Sequence, residues 1–148
     1  MSAPTAWFDE HHPKAAASVF LLTEDRRLVL QLRDNKPDID NPGMITAFGG
    51  GAEPGETPVE CALRELAEET GIQAQAEDLH LLGATSKVDF RGRATALIFF
   101  LLRDVDSAAL EVTEGAAIVL SFAEAAADSR LTEYCRRFSA QIAMAEDE

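Results

Sequence analysis

Alternating apolar and polar stretches along the chain predict a succession of strands and helices. The segments "AAASVFLL" and "RLVLQLR" have strand length and flank the polar residues 23–26, which predicts a β-hairpin. The turn-rich "DNKPDIDNPG" predicts a loop, and "MITAF" predicts a short strand running into glycines. Further on, "LHLLGATSKVDF", "ATALIFFLL" and "AAIVLSF" predict three more strands. Strands interspersed with helices predict an α/β fold with a mixed sheet.

The helix after the glycines has signals at both ends. Thr57 can act as N-cap, Pro58 suits the first helical position, Glu60 completes a capping box, and Gly71 can end the helix. Apolar side chains fall on one stripe, comprising Val59, Ala62, Leu63 and Leu66. Acidic side chains cluster about 120° away, comprising Glu65, Glu68 and Glu69. One face should pack, and the other should line a cleft or meet water.

Two helices are predicted after the last strand. Ser121 and Glu124 form a capping-box pattern for a short helix. An apolar stripe then marks a C-terminal helix, comprising Leu131, Tyr134, Cys135, Phe138 and Ile142. A chain of 148 residues, 47% of them hydrophobic, suffices for one packed core and is short for two. We therefore expect residues 1–148 to form one domain.

Composition restricts the class of partner. There are 26 acidic and 13 basic residues, giving a formal net charge of -13, which disfavours binding a nucleic-acid backbone through a broad basic surface. Cys61 and Cys135 lack the spacing of a metal site and the density of a disulfide scaffold. The run "ATALIFFLL" is too short to span a bilayer. We expect a cytoplasmic protein that binds neither nucleic acid nor membrane.

The acidic helix face has two interpretations. Each like-charge pair at helical spacing costs only about 0.2–0.5 kcal/mol, so the carboxylates could simply form a solvated face. Alternatively, they could bind a cation. Helix periodicity alone does not distinguish these cases.

The spacing between this helix and the glycine run changes that balance. The order is G-x5-E-x7-R-E-U-x-E-E-x-G-U, where U is bulky and apolar, and its defined positions are Gly50, Glu56, Arg64, Glu65, Leu66, Glu68, Glu69, Gly71 and Ile72. This pattern resembles the Nudix box at every defined position. The resemblance implies a Nudix-type α/β/α sandwich and a pyrophosphohydrolase that uses Mg²⁺, with Mn²⁺ as an alternative ion.

The resemblance also implies roles for individual residues. The metal ligands would be the carboxylates of Glu65, Glu68 and Glu69, the backbone carbonyl of Gly49, and Glu114 from a loop outside the box, with Glu111 as a nearby competitor. Arg64 would pair with Glu56 and lock the loop onto the helix, whereas a surface pair between Glu60 and Arg64 is the alternative. Glu69, Glu68, Arg64 and Glu56 thus form the predicted catalytic set, in which Glu69 or an acid outside the box deprotonates the attacking water.

The residues outside the box are less specific about the substrate. Arg33, Phe48, Phe90 and Arg91 are candidate substrate contacts, with Phe48 standing where the family frequently has proline. The compact length resembles MutT-like members, which favours a (d)NTP or a nucleotide sugar. ADP-ribose is an alternative, although the chain has no proline after Pro58, where enzymes acting on it commonly carry one. Dinucleoside polyphosphates are another.

Two further alternatives differ in class. A Nudix-like module could sense nucleotides without catalysis, but such modules often have degraded boxes. Isopentenyl diphosphate isomerase shares the fold and uses a catalytic cysteine, yet Cys61 has no partner at an activating spacing. The resemblance is also compatible with a homodimer, for which no residue marks an interface.

Overall fold

A computed structural model of the protein describes residues 15–39, 41–89 and 92–146. Its strands are β1 (Ala15–Leu22), β2 (Leu28–Leu32), β3 (Ile45–Thr46), β4 (Phe48–Gly51), β5 (Leu79–Asp89), β6 (Gly92–Leu101) and β7 (Ala116–Leu120). Its helices are α1 (Pro58–Thr70), α2 (Phe122–Ala127) and α3 (Glu133–Glu146). Because β1 pairs parallel to β6 and antiparallel to β2 and β4, the sheet is mixed, as predicted.

The predicted hairpin is present. Strands β1 and β2 pair antiparallel, and the turn is closed by hydrogen bonds from Thr23 N–H to Arg27 O (2.9 Å) and from Arg26 N–H to Thr23 O (3.0 Å). Strand β2 then pairs with β3 along one edge and with β7 along the other. Its far end is thus held in the interior of the sheet.

The predicted strand "MITAF" divides into two short strands. Strand β3 pairs with β2, whereas β4 pairs with β1, and the change of partner falls at Ala47. Strand β4 lies so close to β1 that a Cβ at Gly49 would meet the Ala17 carbonyl and lie 2.7 Å from Ser18 Cα. Glycine is therefore required at this position by close backbone approach.

Helices cover both faces of the sheet. Side chains alternate along β1, so that Val19 and Leu21 join α1 in one apolar core. Phe20 and Leu22 pack on the opposite face with residues of α2 and α3, such as Phe138. This layering confirms the predicted α/β/α sandwich.

The C-terminal helix differs from its predicted extent. Helix α3 begins at Glu133, whereas Leu131 precedes it and forms an isolated parallel bridge with Ile45. Leu131 is nevertheless buried in the core, so its apolar character reflects packing outside a helix. Among the residues that the structure describes, none of the helices combines the length and the apolar character that a membrane span requires.

Candidate active site

Local interactions fix both ends of α1. The Thr57 Oγ1 accepts from Glu60 N–H (3.1 Å), and the Glu60 carboxylate accepts from Thr57 N–H (2.9 Å), which confirms the capping box. Gly71 adopts φ 80° and donates from its N–H to Ala67 O (3.0 Å). Because the Glu60 carboxylate takes part in the cap, α1 starts at a fixed position relative to the glycine-rich strand β4.

The three glutamates on the acidic face of α1 lie in different environments. Glu69 is only 6% exposed, whereas the Glu68 side chain is 58% exposed. Glu65 is half-buried over Gly50, where a Cβ would lie 2.5 Å from Glu65 Oε2. The acidic face is therefore a graded cluster that runs from the sheet to the solvent.

Arg64 joins the glycine loop to this cluster. It binds Glu56 through two nitrogens, Nε (2.6 Å) and Nη2 (3.0 Å), in the predicted pair. It also donates from Nη1 to Glu65 (2.9 Å) and Glu68 (3.1 Å), and from Nη2 to Gly51 O (2.9 Å). Hydrogen bonding from Arg64 lowers the pKa of Glu56. The guanidinium thus orients three carboxylates at once.

The buried Glu69 carboxylate is held from two sides. Gly49 N–H donates to its Oε1 (3.1 Å), and Gln31 Nε2 donates to its Oε2 (2.9 Å). Burial and, after it, the adjacent negative charge of Glu65 together raise the pKa of Glu69 to about 7, although the two donors act in the opposite direction. The repulsion between the Glu65 and Glu69 carboxylates is therefore only partly offset by these donors and by Arg64, which contacts Glu65.

Gln31 is a functional candidate that the sequence analysis did not identify. It is 2% exposed, and its Nε2 also donates to Glu114 O (3.0 Å). The available signal was a polar residue within the apolar strand "LVLQL". A buried amide in such a strand needs a partner, which here is a carboxylate and a loop carbonyl.

The loop at 111–114 completes the C-terminal end of α1. It donates from Thr113 N–H to Glu69 O (3.2 Å), from Thr113 Oγ1 to Glu68 O (3.1 Å) and from Glu111 N–H to Thr70 O (3.0 Å). With the Gly71 cap, these bonds satisfy the last four carbonyls of the helix, which lack intrahelical partners. Glu114 is thereby held beside the cluster, with an exposed side chain.

The donor chemistry of the cluster fits a magnesium ion. Mg²⁺ prefers hard oxygen ligands and is commonly held by one or two carboxylates plus substrate phosphates. Residues 65 and 69 supply two adjacent carboxylates whose repulsion a cation would offset, with Glu68 next to them. Within the described ranges, no three His, Cys, Asp or Glu side chains surround one point, and Arg64 holds the carboxylates of Glu65 and Glu68. The metal-binding role of the Gly49 carbonyl stays a prediction.

The remaining candidate residues differ in burial and position. Phe48 is completely buried in the core shared with α1, so packing leaves its side chain unable to contact a substrate. Arg33 is half-buried at the end of β2, where its N–H donates to Met44 O (2.9 Å). Phe90 and Arg91 lie outside the described residues. Cys61 is buried, and burial raises the pKa of its thiol to about 12, which makes it a poor nucleophile.

Known proteins resemble this chain in sequence and in fold. Residues 12–140 match the family model described as NUDIX domain. An ADP-ribose pyrophosphatase of Methanocaldococcus jannaschii is 31% identical over 90 residues, which are 61% of this chain and 51% of that protein. The chain thus spans about half the length of this curated relative.

Solved structures share the fold at lower identity. A MutT protein from Methanosarcina mazei Go1 superimposes with a TM-score of 0.72 at 19% identity, covering 90% of this chain and 95% of that one. The E. coli dihydroneopterin triphosphate pyrophosphohydrolase gives 0.65 at 24% identity, covering 86% and 93%. The NUDIX domain of Shewanella oneidensis NrtR, complexed with ADP ribose, gives 0.70 at 18% identity, covering 89% and 87%. The family model spans most of the sequence, and the complete Nudix box forms the glycine loop and α1. The chain therefore belongs to the NUDIX family.

Proposed function

We propose that this protein hydrolyses a nucleoside diphosphate linked to another moiety and releases a nucleoside monophosphate, with Mg²⁺ as cofactor. The observation that carries the proposal is the graded acidic cluster on α1, in which Glu69 is buried and oriented while Glu68 is open to solvent. A solvated helix face would not bury one carboxylate against the sheet and a second over a glycine. The complete Nudix box supports the same assignment.

The chain's own residues would bind the ion and move the proton. Glu65, Glu68 and Glu69 would hold the ion, with Gly49 O and Glu114 as further ligands. When bound, Mg²⁺ neutralises phosphate oxygens and stabilises the charge that develops during substitution at phosphorus.

Glu69 would accept a proton from the attacking water, because its carboxylate is buried and is held in place by Gly49 N–H and Gln31 Nε2. Glu114 would be the alternative base, since its loop is docked on the C-terminal end of the same helix. Arg64 would keep the carboxylates of Glu56 and Glu65 in place while the ion binds.

Two substrate classes have support. A (d)NTP or nucleotide sugar is the first proposal, from the compact MutT-like organisation of the sequence. ADP-ribose is the second, because the curated relative at 31% identity is an ADP-ribose pyrophosphatase. The absence of proline after Pro58 weighs against the second.

A substrate panel tests the proposal. Purified protein is incubated with (d)NTPs, nucleotide sugars, ADP-ribose and dinucleoside polyphosphates, with Mg²⁺ or EDTA, and the products are separated by chromatography. We expect Mg²⁺-dependent monophosphate release that falls at least about 100-fold in Glu69→Gln, as expected for loss of an acid-base group. Glu60→Gln is the matched control on the same helix, since glutamine also completes a capping box. Tight nucleotide binding without turnover of any compound would instead support a sensing module.

A further inference from the structure

We infer that Gln31 is a positioning residue that holds the Glu69 carboxylate and the 111–114 loop in the arrangement that binds the divalent cation. This inference rests on the proposed function and deepens it. Gln31 lies outside the Nudix box and 38 residues before Glu69 in sequence. Its amide nevertheless contacts both a box carboxylate and the loop that carries Glu114.

The amide orientation follows from its partners. Both neighbouring atoms, Glu69 Oε2 at 2.9 Å and Glu114 O at 3.0 Å, can only accept hydrogen bonds when Glu69 is ionised. The NH₂ group of Gln31 must therefore face them, and its two hydrogens serve one acceptor each. A hydroxyl could not donate to both, and an acidic side chain would oppose Glu69.

The sheet gives this amide a rigid base. Gln31 pairs with Thr46 of β3 on one side and with Ala117 of β7 on the other. Its side chain points to the same face as Val29, which packs in the α1 core, because side chains alternate along a strand. The β7 pairing places Gln31 beside the end of the 111–114 loop, where Gly115 turns with φ 63° directly against the Leu32 carbonyl.

The contact leaves the carboxylate able to bind a cation. Each ionised carboxylate oxygen offers about two lone-pair sites. Gly49 N–H uses one site on Oε1, and Gln31 uses one site on Oε2. Each oxygen thus keeps a lone-pair site that neither of these two donors uses, and Glu65 lies next to this carboxylate. Removing a hydrogen-bond donor that orients a metal-binding side chain typically lowers metal affinity or activity about 10–100-fold.

Methionine at position 31 tests the inference. Gln31→Met keeps the length and volume of the side chain and removes both donors, whereas Gln31→Asn keeps the amide but retracts it by one methylene. The matched control is Gln141→Met, which removes a hydrogen bond from the side-chain amide to Leu82 O (3.3 Å) on the α3 side of the protein. Mn²⁺ affinity is measured by electron paramagnetic resonance of the free ion, which requires no turnover. Thermal denaturation in EDTA verifies folding of each variant.

We expect Mn²⁺ to bind about 10–100-fold more weakly in Gln31→Met, with a smaller loss in Gln31→Asn and no change in Gln141→Met. With the hydrolysed nucleotide, the Mg²⁺ concentration for half-maximal rate should rise by a similar factor, while the nucleotide KM at saturating Mg²⁺ stays constant.

Wild-type affinity for Mn²⁺ in both Gln31 variants would overturn the positioning role and leave the proposed function intact, because Gln31 would then contribute only to stability. A wild-type protein that binds no Mn²⁺ would overturn the proposed function together with this inference.

Discussion

Replacing Arg64 with lysine tests how far this guanidinium organises the candidate site. Lysine keeps the positive charge but places its three donors on one nitrogen, whereas arginine presents a planar fork. In the wild type, that fork serves Glu56, Glu65, Glu68 and Gly51 O together. An ammonium that stays on Glu56 leaves the Glu65 carboxylate and the Gly51 carbonyl without this donor.

The expected cost follows from the exposure of each partner. The side chains of Glu56 and Glu65 are 12% and 14% exposed, so their contacts are well protected from water. A hydrogen bond to a charged group contributes about 1.5–3 kcal/mol, while an exposed ion pair such as that with Glu68 contributes about 0–1 kcal/mol. We expect Arg64→Lys to lower the free energy of unfolding by about 3 kcal/mol and the Tm by roughly 6–12 °C.

Urea denaturation at pH 7 in EDTA measures this effect without bound metal. The matched control is Arg130→Lys, because Arg130 also binds one carboxylate, that of Asp128, through two nitrogens (3.0 and 2.7 Å) but is 48% exposed. The control should lose less than about 1 kcal/mol. Equal losses in the two variants, within about 0.5 kcal/mol, would refute the argument that protection from solvent makes the Arg64 contacts strong.

The difference in unfolding free energy between wild type and Arg64→Lys should also depend on pH. Hydrogen bonding from Arg64 places the folded-state pKa of Glu56 below its usual 4.5. The stabilisation from the Arg64–Glu56 ion pair is therefore present above the usual glutamate pKa of 4.5. It is lost as the pH falls through the lower, folded-state pKa of Glu56. The difference in unfolding free energy between wild type and Arg64→Lys should shrink at acid pH.

Three further predictions concern the same cluster. The folded state favours the protonated form of Glu69, whose pKa is raised from the ordinary 4.5 of a glutamate to about 7. In EDTA, the free energy of unfolding should therefore fall by about 3 kcal/mol as the pH rises from 4.5 to about 7. Urea titrations across that pH range should show no such decline in Glu69→Gln. Gly50→Ala should reduce the hydrolysis rate about 100-fold, since its Cβ would displace the Glu65 carboxylate and disturb its geometry, whereas Gly51→Ala, with its nearest atom 4.0 Å away, should remain within about twofold in the same assay. Finally, the thiol of Cys61 should resist a disulfide reagent in the native protein and react only in urea, and Cys61→Ala should retain hydrolysis; loss of activity there would favour chemistry that needs the cysteine.

The sequence alone determined features that depend on neighbouring residues. The N-cap of α1 at Thr57 and its C-cap at Gly71 were predicted correctly, because caps are satisfied by atoms three or four positions away. The β1–β2 hairpin was predicted for the same reason, since its turn is closed within residues 23–27. The family was identifiable because the Nudix box encodes its chemistry at fixed spacing along one loop and one helix.

Tertiary structure decided how the acidic residues differ from one another. Helical periodicity placed Glu65, Glu68 and Glu69 on one face, but only packing against the glycine strand buries Glu69 and leaves Glu68 exposed. The loop that completes the helix end also reaches it from more than 40 residues further along the chain, as Thr113 does for Glu68. No local pattern encodes such a contact.

The candidates outside the box show the same limit. Phe48 was a plausible substrate contact by position, yet in strand β4 its side chain is completely buried in the core that packs against α1. Gln31 had no motif around it, and its importance comes from β2 being held between β3 and β7, which aims its amide at Glu69. Caps, turns and motif spacing are short-range and can be derived from sequence. Burial and contacts such as that of Gln31 with Glu69 depend instead on which strands meet, and those pairings join residues far apart in the chain.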